Sequence, residues 1–140
     1  MFGQIFITTV SKHLDLHSGI DIFKAFSDEA RVRILHLMFK TDDMCVSDLE
    51  MILDFTQTKT SRHLTYLRNA GLVKFQKLDQ WIYYTINPDF LEVITQLFIY
   101  LEGDAILQND LIEYRTLYSN NELAIRKLHS KQNKYKVPSL

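Results

Sequence analysis

The sequence predicts a mainly α-helical fold with one small β-hairpin. Three observations carry that expectation. Residues 56–71 form an amphipathic stretch whose polar side holds no acid. Residues 72–78 and 81–86 are rich in β-branched and aromatic side chains and flank Asp79-Gln80. Helix start and stop signals punctuate the chain on both sides of these runs. A length of 140 residues suits one domain, and 46% apolar content is enough for a packed core.

Taken in order, the apolar residues of 20–26 suggest a short first helix. Ser27 reads as the N-cap of a second, because Asp28 and Glu29 suit the positive end of a helix dipole. Val32, Ile34, Leu35, Met38 and Phe39 give that helix a wide apolar side. Ser47 and Glu50 have capping-box spacing and would open a third helix through about Leu53. Asp54 and Phe55 form a tight turn, Thr56 caps the next helix, and Gly71 takes the position just past its end. At about 100° per residue, Thr60, Leu64 and Leu67 point inward on this fourth helix. Gln57, Thr58, Ser61, Arg62, Thr65 and Arg68 point outward, within roughly 140° of arc. Amides, hydroxyls and guanidinium groups are the donors and acceptors that read base edges in a major groove and bond the phosphates beside it. Two short helices joined by a tight turn, the second polar outside, make a helix-turn-helix.

The hairpin that follows, with Asp79-Gln80 at its tip, is then a wing able to reach the sugar-phosphate backbone. Tyr83 and Tyr84 are expected to hold its strands together. Pro88 sits where a helix can begin, and residues 89–102 are strongly apolar. Glu102-Gly103-Asp104 breaks that helix, a further helix runs to about Tyr118, and Asn120-Asn121 introduces a last one to about His129. The domain boundaries expected are an N-terminal dimerisation segment at 1–19, a DNA-binding domain at 20–87, C-terminal dimerisation helices at 88–130, and a disordered basic tail at 131–140. Phe90, Val93, Ile94, Leu97, Phe98 and Leu101 could serve as core, but so small a chain has limited core to fill, so they point to a partner subunit as well.

Charge is unevenly distributed along a chain whose net value is only −1. Residues 55–86 hold Lys59, Arg62, Arg68, Lys74 and Lys77 against Asp79 alone. The positive charge therefore collects where the DNA-reading helix and wing lie. No apolar run approaches the roughly 18 residues of a membrane span. The apolar start lacks a basic leader and a cleavage site, and a single cysteine, Cys45, suits a reducing compartment. The expected location is cytoplasmic. No catalytic constellation or phosphate loop stands out, so no enzyme is expected.

The chain resembles the ArsR/SmtB repressors. Residues 23–35 look like that family's opening signature. Met44-Cys45-Val46-Ser47-Asp48-Leu49, then Gln57 to Gly71 with its Ser61-Arg62-His63-Leu64 centre, then Trp81-Ile82-Tyr83-Tyr84, follow in the family's order. The match covers roughly residues 20–87. The resemblance implies a winged-helix homodimer, joined through its N-terminal helices and the helix after the wing. It implies a repressor that binds a palindromic double-stranded operator and lets go when an effector binds.

It also assigns roles. Gln57, Thr58, Ser61 and Arg62 match base-facing positions, where Gln pairs with adenine and Arg with guanine. Thr56, Lys59 and Arg68 from the helix, with Lys74, Lys77 and Gln80 from the wing, are expected at phosphates. Arg31 either touches backbone or pairs with a local acid, and His63 is expected to pack and hydrogen-bond rather than meet DNA. Family members that sense metals use a Cys-x-Cys pair before the recognition helix. Here Val46 and Ser47 follow Cys45, and residues 88–118 contain no histidine for a second site. A soft metal wants three or four such ligands, so neither a metal site nor a cofactor is expected, and the effector is unnamed. Two alternatives stand beside this reading. One is a metal or redox sensor using His13 and His17, one helical turn apart, or Cys45. The other is a winged-helix protein-interaction module that uses residues 88–129.

Overall fold

The computed structural model describes residues 13–135, with side chains through residue 133. Helix α1 (Leu16–Ala25) starts four residues before the expected point. Asp15 caps it by accepting the Ser18 amide at 2.8 Å. Helix α2 (Glu29–Thr41) is capped by Asp28, which accepts the Arg31 amide at 3.1 Å. This corrects the expectation for Ser27, whose hydroxyl instead donates to the Lys24 carbonyl and closes the end of α1.

A two-residue strand, β1 (Met44–Cys45), was not expected and leads directly into α3 (Val46–Leu53). Cys45 is the N-cap residue of α3 and makes no side-chain cap bond. The Ser47 capping box is therefore corrected. Pairing of Cys45 with Tyr83 ends the strand one residue before the helix, which moves Ser47 into its first turn. Asp54 adopts φ 55°, the left-handed region that asparagine and aspartate tolerate, and turns the chain into α4 (Gln57–Asn69). Thr56 caps α4 as expected, accepting the Lys59 amide at 3.1 Å. Gly71, at φ 83°, closes it. Its amide bonds the Arg68 carbonyl and the Leu72 amide bonds the Leu67 carbonyl, the paired arrangement of a Schellman motif.

The hairpin β2 (Val73–Leu78) and β3 (Trp81–Ile86) turns at Asp79-Gln80 with Leu78 opposite Trp81. The antiparallel sheet runs in the order β1-β3-β2, so the wing is tied to the helix-turn-helix through β1. A 3-10 turn (Pro88–Phe90) leads into α5 (Leu91–Ile99), followed by α6 (Ala105–Ser119) and α7 (Ala124–Tyr135). Helix α7 continues past the expected end at His129, which corrects the start of the tail. Residues 131–135 are helical, and the remainder of the expected tail, 136–140, lies outside the described residues. So does most of the 1–19 segment.

One apolar core spans the described chain, from Ile22 on α1 to Leu128 on α7. Two acids anchor the C-terminal helices to it. Asp48 of α3, fully buried, accepts the Ala124 and Ile125 amides at 2.8 and 2.7 Å and so caps α7 from a distance. Asp110 of α6 is bonded by Arg33 of α2. The expected interface residues divide on this fold. Phe90, Ile94 and Phe98 are buried in the protomer's own core, a correction. Phe98 lies among Phe26, His36 and Phe39, with ring centroids 5.1–5.9 Å apart. Val93 and Leu97 are half-buried, and Leu101 is exposed.

Candidate nucleic-acid interface

Helix α4 presents the two faces that its sequence requires. Thr60, Leu64 and Leu67 are fully buried, and Thr60 donates to the Thr56 carbonyl instead of to solvent. Gln57, Thr58, Ser61, Arg62, Thr65 and Arg68 are all exposed. Five of the expected phosphate contacts are exposed as well: Thr56 and Arg68, with Lys74, Lys77 and Gln80 on the wing. Lys59 is half-buried, and its Nζ stands 3.9 Å from the centroid of Phe55, so this cation is partly engaged by a ring. Arg68 lies 5.2 Å from the centroid of Phe75 on β2, which links helix to wing.

The helix is oriented by Arg31, whose side chain is largely buried. Its Nε and Nη2 donate to the Ala25 and Lys24 carbonyls at 3.0 and 2.9 Å, which closes the C-terminus of α1. The same guanidinium stacks 4.0 Å from the centroid of Tyr66 on α4. Of the two expected roles for Arg31, the local one is seen, including an Asp28 oxygen at 3.9 Å. His63 is buried, with Nδ1 3.5 Å from Arg31 and 3.9 Å from Asp28. Burial lowers its pKa. The cations Arg31, Arg62 and Lys59 add to that, while Asp28 opposes it. His63 is thus a neutral packing residue behind the outward face.

The wing is braced from within. Tyr83 is buried and donates its hydroxyl to Gln76 Oε1 at 3.0 Å, while Tyr84 packs on Phe75. At the tip, Asp79 adopts φ 54° and accepts from Lys131 of α7 at 3.2 Å. The single acid of residues 55–86 is therefore paired with a cation. This contact, the Arg33–Asp110 pair and the Asp48 cap were missed in the sequence, because each joins residues 52 to 77 positions apart.

The residues do not fit a thiolate metal centre. Cys45 is buried, and its thiol is pushed up to about 12, first by burial and then by Asp48 and Asp43. Among the described residues no three His, Cys, Asp or Glu side chains gather as metal ligands. His13 precedes the Asp15 cap while His17 lies within α1, so the two do not share a helical face. That corrects their expected pairing.

Comparison with known proteins places this geometry. A family profile described as "Bacterial regulatory protein, arsR family" matches residues 28–74, from the α2 cap into β2. The arsenic resistance transcriptional regulator ArsR2 of Pseudomonas putida is 41% identical over 69 residues, which are 49% of this chain and 60% of that one. The chain therefore spans less than two thirds of that relative's length. An HTH-type transcriptional regulator of Methanocaldococcus jannaschii, MJ1325, is 39% identical over 77 residues, covering 55% of this chain and 86% of its own. Among solved structures, HlyU from Vibrio cholerae N16961 superposes with a TM-score of 0.55 at 28% identity, over 60% of this chain and 91% of that one. The profile match lies on the helix-turn-helix, and the structural likeness extends over a winged-helix protein. On these grounds the chain belongs to the ArsR family of bacterial regulatory proteins.

Proposed function

We propose that this protein is a homodimeric repressor that binds a palindromic double-stranded operator through α4 and the wing and releases it when an effector binds. The observation that carries this reading is the outward face of α4. Six exposed polar or cationic side chains stand there without an acid, beside a wing whose one acid is paired. Gln57, Thr58, Ser61 and Arg62 are assigned to bases, and Thr56, Lys59, Arg68, Lys74, Lys77 and Gln80 to phosphates.

Dimerisation is supported by an apolar stripe on α1. Leu16, Ile20 and Phe23 recur at helical spacing, and Leu16 and Phe23 are 76% and 67% exposed. Leu91 and Ile99 of α5 are also exposed. A two-fold dimer would set two recognition helices into half-sites about one DNA turn apart. Among the described residues no helix is long and apolar enough to cross a membrane, which accords with a cytoplasmic location. The family points to regulation and not to catalysis.

The test is a fluorescence-anisotropy titration against the DNA upstream of the protein's own gene, with a random duplex alongside. Tight, saturable preference for the upstream fragment, lost in Arg62→Ala, supports the reading. Absence of binding to either duplex at low salt overturns it.

A further inference from the structure

Helix α7 stands outside the helix-turn-helix, yet its charge is entirely one-sided. From Leu123 to Leu140 the sequence holds no acid, and it carries Arg126, Lys127, Lys131, Lys134 and Lys136. A basic helix is often no more than a solvated surface, so the placement of these cations decides what they can do.

The packing of α7 sorts them. Leu123, Ile125 and Leu128 are fully buried, and Asp48 holds the first turn through the Ala124 and Ile125 amides, so the helix is fixed on the core. One edge is engaged by α6. There Arg126 Nη1 donates to the Tyr118 and Ser119 carbonyls at 2.7 and 3.1 Å, and His129 Nδ1 lies 3.1 Å from the Tyr118 hydroxyl. Lys127, Lys131 and Lys134 take positions i, i+4 and i+7 on the other edge, within roughly 60° of arc. The Lys131 ammonium reaches Asp79 at 3.2 Å, so this edge runs beside the wing tip. Lys127, one turn earlier and about 6 Å along the axis, is exposed and pairs with no acid among the described residues.

A fixed row of lysines without matching acids suits a polyanion. An ammonium is a point charge that meets a phosphate well and carries no reading of base edges. The row also continues a surface that already presents the exposed cations Lys74 and Lys77 on the wing.

We propose that the lysine edge of α7 is a second DNA-binding surface, which meets the sugar-phosphate backbone of double-stranded DNA on the flank of the wing. It adds affinity without sequence preference. This deepens the repressor reading and rests on it for the placing of the wing at DNA.

The test follows the anisotropy of a random duplex with the full chain from about 50 to about 200 mM salt. Each lysine that meets a phosphate contributes about 0.9 to the slope of log affinity against log salt. Lys127→Gln should lower the slope by that amount for each protomer bound and weaken binding severalfold at low salt, whereas Lys127→Arg should keep the slope. Lys40→Gln removes the same charge from an exposed position on α2 and should leave the slope in place. A second measurement uses the original protein. Its lysines are acetylated by an N-hydroxysuccinimide ester with and without the duplex and then read by mass spectrometry. The duplex should slow acetylation of Lys127 severalfold and leave Lys40 unchanged. A full slope in Lys127→Gln, an equal loss in Lys40→Gln, or acetylation of Lys127 at the same rate with and without DNA would each overturn the α7 surface. Those results leave the repressor reading standing as long as the original protein still prefers the upstream duplex. Absence of binding by the original protein to either duplex at low salt overturns both.

Discussion

The guanidinium of Arg33 grips the carboxylate of Asp110 through two bonds, Nε to Oδ2 at 2.9 Å and Nη2 to Oδ1 at 2.8 Å. Asp110 is buried and the Arg33 side chain only 20% exposed, so the pair that ties α6 to α2 is largely removed from water. Its bidentate geometry offsets much of the cost of desolvating both charges.

Removing one partner should therefore be worse than removing both. Asp110→Ala leaves the guanidinium without its acceptor and should destabilise the fold by about 3 kcal/mol in urea titrations. The double replacement Arg33→Met with Asp110→Leu should recover most of that loss, because neither charge is then buried. A cost for Asp110→Ala below about 1 kcal/mol would place the pair among surface ion pairs instead.

Cys45 offers a chemical prediction. Its thiol is buried at the junction of β1 and α3, and burial, with the carboxylates of Asp48 and Asp43, pushes it up to about 12. The thiolate is the nucleophile, and burial withholds both the anion and access to it. Alkylation by iodoacetamide near pH 8 should be slower in the folded protein than in strong denaturant by on the order of a hundredfold, tracking local opening. Labelling of the folded protein at the denatured rate would show an accessible thiolate and favour redox sensing.

Stability should decline on mild acidification, and two histidines account for the direction. Burial comes first in holding the pKa values of both His36 and His63 below the ordinary value, about 6.5. Lys40 adds to this at His36, and Arg31, Arg62 and Lys59 add to it at His63. Asp110 and Asp104, and Asp28, pull the other way. The unfolded chain then binds protons that the folded chain refuses, so this stability is complete above about pH 6.5 and is lost as pH falls. Asp43 and Asp48, raised mainly by burial, have the opposite sign, since the folded chain takes up their protons first. Their contribution enters nearer the carboxylate range. Urea midpoints measured from about pH 7.5 to about pH 5.5 should fall, and His36→Phe should flatten the slope. A midpoint that rises over this interval would contradict the assignment.

What was legible in the sequence and what was not divides by the range of the interactions. The faces of α4, the Thr56 cap, the Gly71 stop and the two-residue wing turn are all local, and each was readable from neighbours within one or two helical turns. The caps at Ser27 and Ser47 were misplaced because a competing residue won. Asp28 caps α2, and the strand pairing of Cys45 fixes the start of α3. The roles of Asp48, Asp110 and Lys131 depend on partners 52 to 77 residues away, which no periodicity reveals. Phe90, Ile94 and Phe98 have the spacing of an interface and of a core alike, and only the fold shows them to be core, Phe90 beside Gly71 and the other two where α5 packs on α2.

The pairing of Lys131 with Asp79 gives a prediction at the DNA surface. Asp79 is the sole acid among residues 55–86 and stands at the wing tip, where it would repel phosphates, and Lys131 offsets it from α7. Asp79→Asn keeps the left-handed turn, because asparagine tolerates φ near 54°, and it frees the Lys131 ammonium for the backbone. Binding to the upstream and the random duplex should tighten by the same factor, severalfold at low salt, with a steeper salt dependence. Lys131→Ala should weaken both equally, and the double variant should return close to the original affinity. A change confined to the upstream duplex would mean that the tip reads sequence. An unchanged affinity in both single variants would place the wing tip away from the phosphates.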